Sequence, residues 1–170
     1  FTGTLDGTKT HRLDLEGLFG LSDRVTSTAD LMKRDQLTQL KIKILTLRHE
    51  SCKFANYQDE MEYIVTHSKR NTFIKNLVSD LKGNTLVLFN YVEKHGEPLF
   101  DLINNTIGDT KKVFFVHGGV AASEREEIRR LAELNDNCVI IASYGTFSTG
   151  INIKNLHNII FASPSKSRIR

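Results

Sequence analysis

Four short apolar runs stand out in the second half of the chain: Thr85–Phe89, Val113–Val116, Cys138–Ala142 and Asn158–Ala162. Gly83-Asn84 precedes the first and Pro164 follows the last. Runs this short, without polar alternation, predict strands buried on both faces. Between them, Lys94–Asn104 sets Leu99, Leu102 and Ile103 on one side, and Ser123–Leu134 does the same with Ile128, Leu131 and Leu134. Those spacings predict amphipathic helices. Buried strands alternating with such helices predict an α/β fold, a parallel sheet with helices on both faces and right-handed crossovers.

The first half is less regular. Period-2 apolar residues from Leu40 to Ile44 predict a strand, and Gln58–Val65 and Asn71–Leu81 predict helices, the second capped by Gly83. Residues 9–35 are charged and poor in apolar positions, which predicts two short helices around a loop at Gly20–Asp23. The expected organisation is a small, mostly helical N-terminal segment over residues 1–36 and an α/β domain over 37–170. The boundary is soft, near residues 30–38. A chain that opens on Phe1 rather than Met is expected to be a fragment or a processed product.

Composition narrows this picture little. With 170 residues, 39% of them hydrophobic and 25% charged, the chain has material for one core. Its apolar runs fall far short of the roughly 20 residues of a membrane span, and no secretory signal opens it, so a cytoplasmic protein with no membrane partner is expected. A net charge of +3, with no basic tail, selects no partner. Cys52 and Cys138 form no C-x-x-C pair and read as reduced thiols; the six histidines show no metal spacing, so no metal site is expected.

In a parallel sheet, ligands meet the loops at the carboxyl ends of strands. Two such loops are unusual here. His117-Gly118-Gly119 leads into the helix beginning near Ser123, where glycines permit close backbone approach and helix-start amides attract phosphate. Ser143 to Asn152 supplies four Ser and Thr hydroxyls, a phenol and two glycines, and suits oxygen-rich anions. Equally open is that both are plain polar turns, with Ser123 as an N-cap.

The order of these pieces resembles the C-terminal RecA-like domain of superfamily 2 helicases, especially phage recombination and branch-migration helicases. Val116-His117-Gly118-Gly119, the helix with Arg125, the strand Val139–Ser143, Ser148-Thr149-Gly150-Ile151-Asn152 (the motif V position) and Asn158-Ile159-Ile160 follow one another as in that family. Thr85–Val92 fits motif IV, and Thr2-Gly3-Thr4 resembles motif III. The resemblance implies part of an ATP-dependent DNA helicase that couples ATP hydrolysis to translocation, unwinding or branch migration. ATP and Mg²⁺ would belong to the complete protein, with none bound to this piece. The implied partners are DNA, single-stranded or branched, gripped through its backbone, and the N-terminal RecA-like domain of the same parent.

By the same resemblance His117, Gly118, Gly119, Ser143, Thr146, Ser148 and Thr149 would face nucleic acid. Gly150 and Asn152 would approach the nucleotide, with Thr2, Gly3 and Thr4 coupling the two sites. No catalytic residue is expected in this fragment. The sequence departs from the family where Ser143-Tyr144 replaces Thr-Asp and Asn152 replaces Asp. Motif VI is not found before Arg170, and the chain contains neither G-x-x-x-x-G-K-[ST] nor the acidic Mg²⁺ motif.

Three plainer readings accompany these. Arg125 is expected to pair with an acid on a solvated helix face, His117 reads equally as a packed loop residue, and Lys166–Arg170 reads as a frayed end. A serine hydrolase is disfavoured because one extra residue separates Gly145 from Ser148 relative to G-x-S-x-G. A non-catalytic α/β module that binds a nucleotide or a protein is the remaining alternative.

Overall fold

The computed structural model describes residues 9–21, 26–50, 52–147 and 153–164. The chain divides into two compact units, with the division between Arg48 and His49.

Among the described residues the first unit carries two helices, α1 (Lys9–Phe19) and α2 (Thr28–Lys33). Ser27 caps α2 by accepting the Asp30 amide at 3.1 Å. Part of the expected loop at Gly20–Asp23 lies outside the described residues. The strand expected at Leu40–Ile44 is not formed: this stretch is irregular, with Leu40, Ile42 and Ile44 70%, 78% and 89% exposed. Alternation alone cannot make a strand, because a strand needs a partner for its backbone groups, and none lies beside this one among the described residues.

The second unit is the α/β layer. It opens with α3 (Tyr57–Thr66) and α4 (Ser68–Asp80), then β1 (Thr85–Phe89), a π-helical turn (Val92–Gly96) and α5 (Glu97–Ile107). There follow β2 (Lys112–Val116), α6 (Ala122–Leu134), β3 (Cys138–Ser143), the single turn α7 (Tyr144–Phe147) and β4 (Asn158–Phe161). The four strands are parallel, in the order β2-β3-β1-β4.

Alternate residues of β1 feed two cores. Leu86 and Leu88 pack with Ile128 and Ala132 of α6, while Val87 and Phe89 pack with Ile74 and Val78 of α4 and Leu99, Ile103 and Ile107 of α5. The chain moves one way across the sheet through α5 and back through α6. A constant crossover hand then requires those helices on opposite faces, as found.

Burial on both faces holds for β1 and nearly all of β3, but not for the edges. Ile159 and Phe161 of β4 are 48% and 68% exposed. In α6 the packed pair is Ile128 with Ala132, at i,i+4 spacing, and Leu134 points to solvent. The helix expected from Lys94 instead begins with a π turn. Pro98 has no N–H to give to residue 94, and a Cβ on Gly96 would lie 2.5 Å from the Phe89 ring, so the turn widens around the Gly96 amide, which bonds Tyr91 O at 2.8 Å. The helix expected over Asn71–Leu81 runs from Ser68 to Asp80, and its C-cap is Leu81 rather than Gly83, whose φ of +80° makes the turn into β1.

Candidate nucleic-acid interface

The register that pairs Val116 with Ala142 brings His117 level with Ser143 at the carboxyl edge of the sheet. The first residues of the two loops singled out in the sequence are therefore neighbours. His117 is half-buried against Phe115, with ring centres 5.3 Å apart, and its Nδ1 accepts the Gly119 amide at 3.2 Å. A Cβ on Gly119 would lie 2.9 Å from that ring, so a larger residue there would push the imidazole aside; Gly118 is exposed with open space around it.

Helix α6 begins at Ala122. Its N-cap is Ala121, which has no side-chain acceptor, so Ser123 is not the cap and the first amides of α6 carry no side-chain partner at the N-cap. Arg125 also departs from expectation. Its Nε is buried without a hydrogen-bond partner among the described residues, and the side chain lines a shallow hollow with Ala122, Glu126, Arg129 and Phe147. The acids of that helix face are taken by Arg129, which bonds Glu126 at 2.6 Å and Glu133 at 2.7 Å.

Ser143 and Thr146 are brought together, their hydroxyl oxygens 2.6 Å apart. Thr146 is buried and Ser143 half-buried, so the pair fixes the loop as much as it presents hydroxyls. Ser148, Thr149, Gly150, Asn152, Thr2, Gly3 and Thr4 lie outside the described residues.

A polar cluster beneath the same edge has no counterpart in the sequence reading. Ser163 follows β4 and is 1% exposed; its Oγ accepts the Asn90 amide at 3.2 Å and lies 2.9 Å from Nδ1 of the fully buried His95. His95 Nε2 lies 3.2 Å from Asn71 Oδ1, and Asn71 Nδ2 donates to Val65 O at 2.9 Å. These partners order the protons. Asn71 must present its oxygen to Nε2, so Nε2 carries the hydrogen and Nδ1 accepts from the Ser163 hydroxyl. Burial, with Arg70 nearby, pushes the His95 pKa down from 6.5 to about 4.

Three more side chains hold the same exit. Arg70 Nη2 donates to Ala162 O at 2.6 Å, Asn90 Nδ2 to Pro164 O at 2.9 Å, and the Tyr144 hydroxyl to Ser163 O at 2.8 Å. Arg70 Nη1 is buried without a partner among the described residues, and burial lowers the guanidinium pKa against the opposing influence of Tyr144. No single motif marks this cluster in the sequence, because its members come from five separate stretches; a buried serine followed by proline after a strand is its one local sign.

Among the described residues no group of three His, Cys, Asp or Glu side chains is arranged to hold a metal ion, and no helix is long and apolar enough to cross a membrane.

The helicase conserved C-terminal domain family matches residues 68–170. The ATP-dependent DNA helicase uvsW of Enterobacteria phage T4 is 38% identical over 176 residues, covering 99% of this chain and 34% of its own length. The crystal structure of T4 UvsW superimposes with a TM-score of 0.58 at 41% identity, over 69% of this chain and 24% of that one. The chain thus spans about a third of its curated relative. With a match over more than half of its residues, the chain belongs to the helicase conserved C-terminal domain family.

Proposed function

We propose that this chain is the second RecA-like domain of an ATP-dependent DNA helicase, with residues 37–170 forming that domain and 1–36 the segment leading into it. Its carboxyl-edge loops would hold the backbone of a DNA strand. The observation that carries this reading is the juxtaposition of His117 and Ser143 at one sheet edge, beside a helix α6 whose N-cap offers its amides no acceptor. Amides and hydroxyls so placed suit phosphate oxygens, and phosphate contacts carry no sequence preference.

The chain's own residues do not compose a site for Mg²⁺ and a triphosphate. Its 170 residues include no G-x-x-x-x-G-K-[ST], and the described residues offer no carboxylate cluster. ATP fits the parent protein, as the relative's name implies, with Mg²⁺ as the ion its hydrolysis would use, and no step of phosphoryl transfer is assigned to a side chain here. What these residues do is hold a strand and keep the loops in register while a partner domain moves.

Fluorescence anisotropy with a labelled single-stranded oligonucleotide tests the reading. Weak, sequence-independent binding is expected, with a shallow salt dependence because few lysines and arginines lie in the two loops. Replacing His117 and Ser143 together by Ala should weaken it about 5- to 10-fold. Binding that is unaffected by this pair, or that falls steeply with salt, would place the nucleic-acid face elsewhere.

A further inference from the structure

The cradle around the exit of β4 touches the candidate interface through one side chain of particular placement. Tyr144 sits between Ser143 and the turn that presents Thr146, yet its hydroxyl reaches away from that loop to the carbonyl of Ser163 at 2.8 Å. Its ring stacks on Phe161 of β4, with centres 6.3 Å apart and planes 14° from parallel. The loop after β3 and the exit of β4 are therefore bonded to each other at a buried point.

That point cannot yield gradually. Ser163 and His95 are 1% and 0% exposed, so a carbonyl or imidazole that loses its partner there finds no water to replace it. A shift of the Ser143–Thr146 turn must carry Ser163 with it or break the bond outright. Ser163 in turn moves its hydroxyl against His95 Nδ1, and His95 rests on Asn71 at the start of α4.

We propose that Tyr144 is a positioning residue that couples occupancy of the Ser143–Thr146 turn to the conformation of the β4 exit, with Ser163 and His95 as the receiving groups. The proposal rests on the reading that this turn meets a nucleic-acid strand. It goes beyond that reading in assigning a route by which the strand is felt at the chain segment leaving β4. The warrant is a contiguous, buried hydrogen-bonded chain rather than proximity alone.

Tyr144→Phe deletes the hydroxyl and keeps the ring on Phe161. The test titrates the 170-residue chain with a labelled oligothymidylate, reading affinity by anisotropy and the His95 imidazole resonances by NMR. His95 is fully buried, so an oligonucleotide reaches it only through the protein. In the unsubstituted chain the His95 resonances should shift at saturation. In Tyr144→Phe, once saturated, they should not, and affinity should fall by up to about fivefold. Ser163→Ala keeps the carbonyl that Tyr144 bonds but removes the hydroxyl beside His95, so there the His95 shift should shrink while the Tyr144 bond stays. The free Tyr144→Phe chain serves as its own control for folding, since its circular dichroism and Phe161 signals should stay native. A His95 shift that persists in saturated Tyr144→Phe, or its absence in the saturated unsubstituted chain, overturns the coupling while leaving the interface standing. No binding by the unsubstituted chain, read in anisotropy before any resonance is measured, overturns the interface and the coupling with it.

Discussion

The side-chain carbonyl of Asn84 accepts the backbone N–H of Cys138 at 2.9 Å, across 54 residues of sequence. The two hydrogens of its amide group are shared among the carbonyls of Ala132, Asn135 and Asn155, with Nδ2 at 2.7, 2.6 and 2.7 Å from them. One buried side chain thus ties the end of α6, the start of β3 and the turn before β4 to the start of β1. It does so at the amino edge, opposite the candidate interface.

Asn84→Ala would strand the Cys138 N–H and the Ala132 carbonyl, whose bonds to Asn84 are buried. A loss of about 3 kcal/mol is expected, from the cost of leaving buried groups unpaired. Urea unfolding at neutral pH measures it, and a loss under about 1 kcal/mol would mean that the structure relaxes to admit water.

His95 makes stability depend on acid. Below pH 6.5 the unfolded chain takes a proton on this imidazole, which the folded chain refuses until about pH 4. Stability from this group is therefore constant above pH 6.5 and falls as the pH drops toward 4, by about 3 kcal/mol at most. His95→Gln removes the titration. The variant should be less stable than the unsubstituted chain at pH 7, with the gap narrowing at pH 4.5; a gap independent of pH in urea midpoints would contradict the assignment.

Lys111 and Lys112 are adjacent but unequal. The Lys111 ammonium donates to Val78 O at 3.0 Å, Ser79 O at 3.3 Å and Leu81 O at 2.7 Å, satisfying carbonyls that the end of α4 leaves open. Lys112 is exposed. Lys111→Met is expected to cost about 1–2 kcal/mol and Lys112→Ala less than about 0.5 kcal/mol, as paired thermal melts would show. A lysine substituted at 111 as a control for nucleic-acid binding would confuse unfolding with lost contacts.

The isolated chain should not hydrolyse ATP above background, with or without DNA. Phosphoryl transfer needs positioned cations at the phosphates, and the phosphate-loop lysine that supplies one is not encoded in these residues. Phosphate release should be the same with and without the chain. A DNA-stimulated rate that co-purifies with the chain and drops in His117→Ala would overturn this.

Much of the α/β layer was legible because its signals are local. Thr85–Phe89 and Cys138–Ala142 are continuous apolar runs, and the structure buries both on two faces. The helix seam at Leu99 and Ile103 follows from spacing in the same way. His117 and Ser143 could be set on one edge because parallel strands must all point their loops the same way. What escaped depends on distant partners. Leu40–Ile44 has the alternation of a strand without a neighbour to bond. Asn84 reads as a turn residue until the carbonyls around it are known. His95, Asn71 and Ser163 are ordinary polar residues whose meeting is a product of the fold, and Gly96 and Pro98 shape a π turn that no periodicity encodes.

The strand order has a consequence for how the chain comes into being. β3 lies between β2 and β1, so among the described strands β1 and β2 have no ladder partner until β3 emerges. At synthesis rates of about 5–20 residues per second, the 54 residues from Asn84 to Cys138 leave β1 unpaired for roughly 3 to 10 s. During that interval α4 and α5 are available to cover Val87 and Phe89, while Leu86 and Leu88 face outward until α6 and β3 arrive. The nascent chain is therefore most vulnerable to association with other chains through that one half-covered strand.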